Sequence, residues 1–503
     1  MTTKVPPGYE RQGFKSRSAI QRPAAVRSRP WGFVTKHQIS GWRFLIRRIS
    51  NGVALQDTGM ITDPLRRQGR ALSIGGLVGV VVLCGGALLL HILKPAGVSG
   101  THPILAERSS NALYVVVNNE LHPVLNLTSA RLIVGKPDDP TGVKSNEIDK
   151  FPLGNTLGIP GAPSRMVQSP VRDARWVACD SVAGAAPGVT MIVGDPVPGA
   201  GHASPLGDSS AVLASRGDGT TWLIWGNKRS QIDLTNAAVS AALGINTDTP
   251  PPRPINRQVL NMIPESPPLT VPFIANAGDP PQFVWPAPGA APVIGAVVVD
   301  HEGDQVRHYA VTIQGLQPIS PVIAAILRAD NAHGLVDPPV LTPDQVAKAP
   351  SVHPIPVEDY PAQPLTVLDP GIDPVICGQW VKLDGAPTST LTLLVGQSLP
   401  VAADAAPVSL AGGGPGAAAR VVMPKGRGYF VQVTGQQPKS MTKESLFWLS
   451  DLGVRYGLES TPNETAAPAK ALGLANPLPV PWSVLSLFAA GPPLSKADAL
   501  IAH

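Results

Sequence analysis

Charge is scarce in this chain. Asp, Glu, Lys and Arg make up 15% of 503 residues, against about a quarter in an ordinary soluble domain. Aromatic residues are scarcer still, at 5%. Three cysteines exclude a disulfide-dense scaffold, a four-cysteine zinc site and a ferredoxin-type cluster. No GxxxxGK[ST] string occurs. The one Gly-Lys pair, Gly135-Lys136, runs into Pro137, which has no N–H to offer a phosphate. Gly207-Asp208-Ser209-Ser210 lacks the glycines that shape an oxyanion hole after a nucleophilic serine. His301-Glu302-Gly303-Asp304 and His308 fit neither HExxH nor a facial triad and read as a solvated turn. Arg216-Gly217-Asp218-Gly219 is a turn by the same reasoning. Asn126-Leu-Thr and Asn463-Glu-Thr match the glycosylation sequon, a pattern too common to carry weight. No catalytic, cofactor-binding or metal-binding residue is expected.

What is present is proline and glycine, 56 and 50 of them. Together they are about one residue in five, short of the ~25–30% of a disordered low-complexity chain. They point to short elements joined by rigid turns. The length exceeds what one core supports and implies two to four domains. The net charge of +5 conceals an asymmetry. Residues 1–70 hold 14 Lys/Arg against Glu10, Asp57 and Asp63, a net of +11, and the remainder holds 26 bases and 32 acids, a net of −6. A basic head on an acidic body argues against a nucleic-acid-binding protein.

The junction accounts for the asymmetry. Residues 71–93 read ALSIGGLVGVVVLCGGALLLHIL, with no charge from Ala71 to Leu90. That length matches the roughly 20 residues a helix needs to cross a bilayer. Its glycines suit a membrane helix better than a soluble one, and Gly75 and Gly79 are a small-xxx-small pair fit for helix packing. Seventy residues precede the span, too many for a signal peptide. Arg66, Arg67 and Arg70 flank its start, whereas only Lys94 follows closely, so the positive-inside rule places the head in the cytoplasm and the body outside. The expected fold is α+β and bitopic: a cytoplasmic head (1–70), a transmembrane helix (71–93), a linker (94–110) and an exported domain (111–503).

Cys84 lies in the span as a small apolar residue. Cys179 and Cys377 remain, both in the exported body. They are either two free thiols or one disulfide, and an oxidising compartment favours the disulfide. It would close a loop of about 200 residues, with a chain-entropy gain of at most ~5 kcal/mol.

Within the head, residues 1–35 are rich in Pro, Gly, Ser and Arg without a period, and disorder is expected there. Residues 36–56 place Ile39, Trp42, Leu45, Ile46, Ile49 and Val53 at helical spacing, with Arg43, Arg47 and Arg48 around them. This is a basic amphipathic helix that would lie on anionic lipid or pack against a partner's cytoplasmic domain. Asp63-Pro64 would break it before the span.

The body contains a degenerate repeat. Aromatic-led strands begin at Tyr114, Trp222, Tyr309 and Tyr429, giving repeats from about 112, 220, 307 and 427. Each is followed by a capped helical pattern, at Leu127–Leu132, Leu234–Val239, Pro318–Ile323 and Met441–Leu446. Pro268–Phe273 echoes Pro477–Trp482 at a similar offset. Residues 292–299 and 391–395 read as buried strands of a separate central domain.

The segment HQISGWRFLIRRISNGVAL, the Asp63-Pro64-Leu65-Arg66-Arg67-Gln68 run, one span and a repeat-bearing exported body with two cysteines together resemble the EccB family over essentially the whole chain. EccB proteins are membrane-core components of the mycobacterial type VII (ESX) secretion system. The resemblance implies an inner-membrane scaffold whose periplasmic domain self-associates and braces the pore. It implies EccC, EccD, EccE and the mycosin protease as partners; the span adds inner-membrane lipids, and the charge distribution and missing motifs leave no nucleic acid and no cofactor expected. It also implies repeats like those of a phage-lysin cell-wall-binding fold. A wall-anchoring protein is the alternative, and an ATP hydrolase a further one, since some family members are so labelled.

Overall fold

The computed structural model describes residues 36–55, 63–93, 102–184, 187–410, 416–459 and 467–503. The reading of 1–35 as a disordered arm lies outside them, as does Asn463. The chain divides into two compact units, Met1–Pro95 and Ala96–His503.

The first unit contains two helices, Lys36–Leu55 and Asp63–Leu93. Asp63-Pro64 opens the second helix, where proline costs nothing because first-turn N–H groups have no intrahelical partner. Between Ala71 and Leu89 that helix is apolar and long enough to cross a bilayer, with none of that stretch buried.

The second unit begins earlier than the sequence suggests. Ile104–Glu107, assigned above to the linker, is a strand buried at Ile104 and Leu105. Four small sheets share one plan. Three consecutive strands form an antiparallel meander. A helix follows, then a segment parallel to the first strand, a second helix, and a segment parallel to the third. In the first module the meander is Ile104–Glu107, Leu113–Val117 and Glu120–Val124, closed by Thr141–Val143 and by bridges at Leu153 and Leu157. In the second it is Ser210–Ser215, Thr221–Trp225 and Lys228–Ile232, closed by Arg253–Pro254 and Glu265–Leu269. The third uses Val297–Glu302, Gln305–Val311 and Leu316–Ile319, closed by Val340–Leu341 and a bridge at Ser351. The fourth uses Tyr429–Thr434, Leu446–Leu449 and Val454–Leu458, closed by Leu478–Pro481 and Ala489–Ala490.

Local sequence explains the meanders. Asn118 and Asn119, and again Gly226 and Asn227, have positive φ at both positions of a two-residue loop. That geometry matches the twist of the flanking strands.

Four readings from the sequence are corrected here. Tyr114, Trp222 and Tyr309 lie on the middle strand of their meanders, whereas Tyr429 lies on the first. The middle strand of the fourth module is Leu446–Leu449, so Met441–Leu446 is not a helix start. Its helix is Ala467–Ala471. The Pro268–Phe273 and Pro477–Trp482 echo then pairs unlike positions, because Leu269 ends a segment parallel to a third strand and Leu478 begins one parallel to a first. Val297–Glu302 belongs to the third module rather than to a central domain. Its Val-Val-Val run reflects burial on both faces: Val297 faces the second module and Val298 the opposite side.

A seven-stranded sheet lies between the modules. Its core is Gly188–Val193, Ala174–Ser181, Val375–Lys382 and Thr390–Gly396, with short strands at its edges. Modules pair by their helical faces. The first and fourth share a core that includes Val115, Leu132, Phe430 and Trp448. The second and third share one that includes Leu223, Val239, Val297 and Ile323. The fourth packs its other face on the central sheet around Trp176, whose ring meets Trp380, Tyr429 and Phe488 edge-on at centroid distances of 6.2, 5.8 and 5.6 Å. The second packs there through Val212, Trp222 and Ile224 against Ile376 and Leu393. The third is covered instead by a proline-rich segment carrying Phe283 and Trp285.

Candidate functional site

The rejected chemistries have structural explanations. Gly135 has φ 77° and caps the C-terminus of helix Leu127–Val134. Gly135-Lys136 thus sits beside helix carbonyls, the wrong end for a phosphate. Ser210 N–H donates to the Gly207 carbonyl at 2.9 Å, closing a turn. The Asp218 carboxylate accepts from the Thr220 N–H and hydroxyl, which hold it below the usual range. Asp300, fully buried, is held by Arg307, which also reaches Glu302 at 2.5 Å. Asn126 is the helix cap, its amide donating to the Ile159 carbonyl at 2.9 Å. It is a buried structural residue despite its sequon. Among the described residues no three His, Cys, Asp or Glu side chains cluster to hold a metal.

What the structure offers instead is an exposed amphipathic face, a glycine pair on an apolar helix and a set of buried polar anchors. On helix Lys36–Leu55, Ile39, Trp42, Leu45, Ile46, Ile49 and Val53 are all exposed, Trp42 by 67%. At 100° per residue they fall within about one third of the helix circumference. Arg43, Arg47 and Arg48 lie outside that arc, and the helix contains no acid. The sequence reading passed over Phe44, which stands on the polar side with the Arg48 guanidinium 5.9 Å from its ring centroid. On the long helix, a Cβ added at Gly75 or Gly79 would meet nothing within 4 Å. The two lie one turn apart on one face.

In the second unit, Cys179 and Cys377 form a disulfide. They are register partners on neighbouring antiparallel strands of the central sheet. Both second and third modules are inserted between these strands, so the bond sits at the root of that lobe. A polar anchor lies beside it. Arg253, only 2% exposed, donates to the Asp180 carbonyl at 3.0 Å, and the Asp180 carboxylate accepts the Asn256 N–H at 2.6 Å. Burial pushes the Asp180 carboxyl up and the Arg253 guanidinium down.

A second buried cation sits where the second module meets the central sheet. Arg229 lies 4.5 Å above the Trp222 ring and bonds Glu265 at 2.9 Å. Desolvation lowers its pKa, and Glu265 opposes the shift. In the fourth module Arg455 lies 4.8 Å above Trp482, its Nε donating to the Phe488 carbonyl at 3.0 Å. Sequence reasoning missed all four of these polar residues, Asp180, Arg229, Arg253 and Arg455. No local spacing marks them, because their partners come from strands brought together by the meander plan.

Residues 31–503 match the family model described as "Type VII secretion system ESX-1, transport TM domain B". A protein of Mycolicibacterium smegmatis named "ESX-3 secretion system ATPase EccB3" is 50% identical, covering all of this chain and 97% of that protein. The Mycobacterium tuberculosis protein named "ESX-1 secretion system ATPase EccB1" is 38% identical over 93% of this chain and 95% of its own length. The solved EccB3 dimer from the ESX-3 core complex superposes with a TM-score of 0.70 at 48% identity, covering 80% of this chain and all of that one. A chain of the intact ESX-5 inner membrane complex gives 0.70 at 35% identity, covering 94% of this chain and 96% of that one.

Proposed function

This chain belongs to the EccB family of type VII (ESX) secretion systems and is a structural subunit of such a membrane complex; from that premise we propose how its parts divide the work. The basic head stays in the cytoplasm, a single helix near 71–93 crosses the inner membrane, and the body stands in the periplasm. Three arginines before the span against one lysine soon after it support that orientation. Ile39, Trp42, Leu45, Ile46, Ile49 and Val53 dock the head, with Arg43, Arg47 and Arg48 providing charge toward anionic lipid or acidic partner surface. Gly75 and Gly79 let the span approach a neighbouring helix closely.

In the periplasm, four degenerate repeats around the central sheet form a rigid self-associating brace for the pore, stapled at Cys179–Cys377. EccC, EccD, EccE and the mycosin protease are the expected partners. The relatives are named ATPases. For this chain the scaffold reading stands ahead of ATP hydrolysis because its only Gly-Lys pair terminates a helix.

The observation that carries the reading is the pairing of an exposed amphipathic helix, ending at Leu55 shortly before an apolar span that starts at Ala71, with a body whose similar chains are solved as assemblies. Mild-detergent extraction, native electrophoresis and mass spectrometry test it. The chain should migrate in a megadalton-scale assembly with a separate ATPase and a multi-span subunit. Migration alone or as a simple dimer would overturn the secretion-core assignment.

A further inference from the structure

The second and fourth modules place an arginine at the same register position, and only one of the two has its acid. Leu121, Arg229, Leu316 and Arg455 each sit near the start of a third meander strand, opposite the segment that closes the module. Arg229 is opposite Glu265, and the two form an ion pair. Arg455 is opposite Ala490. Both arginines lie over a tryptophan ring at similar height, 4.5 Å for Arg229 and 4.8 Å for Arg455. The fourth module therefore keeps the cation, with alanine where the second module has glutamate, and supplies its aromatic platform from a new place: Trp222 is on the middle meander strand, whereas Trp482 opens the second helix.

The surroundings make this vacancy consequential. Arg455 Nε is committed to the Phe488 carbonyl, so the guanidinium plane is fixed. No Asp or Glu among the described residues comes within ion-pair distance of it. Half-burial weakens its hydration with no carboxylate to compensate, as its lowered pKa reflects. Trp482 is 47% exposed and Phe447 lies against it at a centroid distance of 5.9 Å. An exposed tryptophan beside an oriented arginine is the composition of an interface anchor. A carboxylate arriving at the free Nη atoms would find a preorganised fork.

We propose that Arg455, Trp482 and Phe447 form a self-association contact completed by a carboxylate from a second copy of this chain. A second copy is the favoured donor because the exported body carries more Asp and Glu than Lys and Arg, and because this deepens the self-association reading above, on which it rests.

The test uses the full chain expressed without the other subunits and purified in mild detergent, with its dimer fraction followed by mass photometry across a dilution series. The wild type should dimerise. Arg455→Ala should weaken dimerisation by at least about tenfold, the scale expected for a desolvated charge contact. Ala490→Glu is the second variant, since it supplies in cis the acid the second module already has. It should weaken dimerisation similarly while the melting temperature holds or rises, which a folding defect would not produce. Arg455→Lys in a mixture of 14N- and 15N-labelled copies should allow carbodiimide coupling between the new amine and an acid of the other isotope. A monomeric wild type would overturn the self-association reading itself. A dimer indifferent to Arg455→Ala and Ala490→Glu, or coupling confined to one copy or to a different polypeptide, would overturn this site while leaving self-association intact.

Discussion

Cys179 and Cys377 face each other across one rung of the central sheet, Cα to Cα 4.0 Å, although 198 positions separate them in sequence. Their strands are paired over eight residues, from Val375 with Ser181 to Lys382 with Ala174. The bond therefore reinforces a ladder that exists without it, and its main effect falls on the unfolded chain. The Cys179→Ser/Cys377→Ser double variant should lose up to ~5 kcal/mol of unfolding free energy. Urea titration should show a lower midpoint, while amide exchange in the strand centres under native conditions keeps its pattern.

Trp176 joins three rings from two parts of the body, and it is 1% exposed. Trp176→Ala should cost about 3–5 kcal/mol. Trp176→Phe should recover a large part of that. Thermal melts of the two variants check the order.

Glu265 is 59% exposed but is the acid paired with a cation that is 91% covered, whose Nε and other Nη have no hydrogen-bond partner among the described residues. Glu265→Ala should therefore destabilise by about 1–3 kcal/mol, more than a surface ion pair would. Adding Arg229→Met should restore part of the loss, because a thioether over Trp222 leaves no charge buried. A double-mutant cycle by chemical denaturation reads the coupling.

Asp180 provides a pH signature. Burial raises its folded-state pKa above the unfolded value. The folded chain thus holds this proton more tightly, and the group favours folding below the unfolded pKa. That advantage is lost as pH rises from the unfolded value, ~3.9, through the raised folded one. Stability measured across the acid range should show this downward component in the wild type. Asp180→Asn, which keeps an oxygen for the Asn256 N–H, should remove it.

For the head, Trp42→Ala with Ile46→Asp should leave membrane insertion unchanged and deplete the chain from the large native assembly. Arg43→Gln with Arg47→Gln should do so most at low salt and progressively less as salt rises, since screening removes the same charge attraction from the wild type while apolar contact persists. Native gels with quantitative mass spectrometry measure both.

The span, the amphipathic face and the cysteine pair could be read because each depends on residues close in sequence or on simple counting. Trp222 and Tyr309 marked their modules for the same reason: a strand alternates locally. Tyr429 misled because aromatics occupy the first strand of the fourth module and Trp448 the second, and nothing local separates those positions. The first three helix starts were right in place but not always in chemistry, and the fourth was not. Asn126 and Asn236 cap the first two, where no particular residue had been singled out, while Ser320 caps as its Pro321 neighbour suggests. The Arg229–Glu265 pair was illegible because parallel pairing across two helices sets it.

The last residue lands on the first module: His503 N–H donates to the Thr156 carbonyl at 2.9 Å, and Ala502 bridges Leu157. The second and third modules run from Ser210 to Ser351 without interruption, so they can close on each other before later residues arrive. The first module has no such neighbour, because its apolar face is completed by Phe430, Trp448 and Leu472, some 300 positions downstream. Contacts this distant in sequence form slowly. The first part of the body to be synthesised is thus the last to be sealed, and during that interval it is the segment most in need of a covering partner.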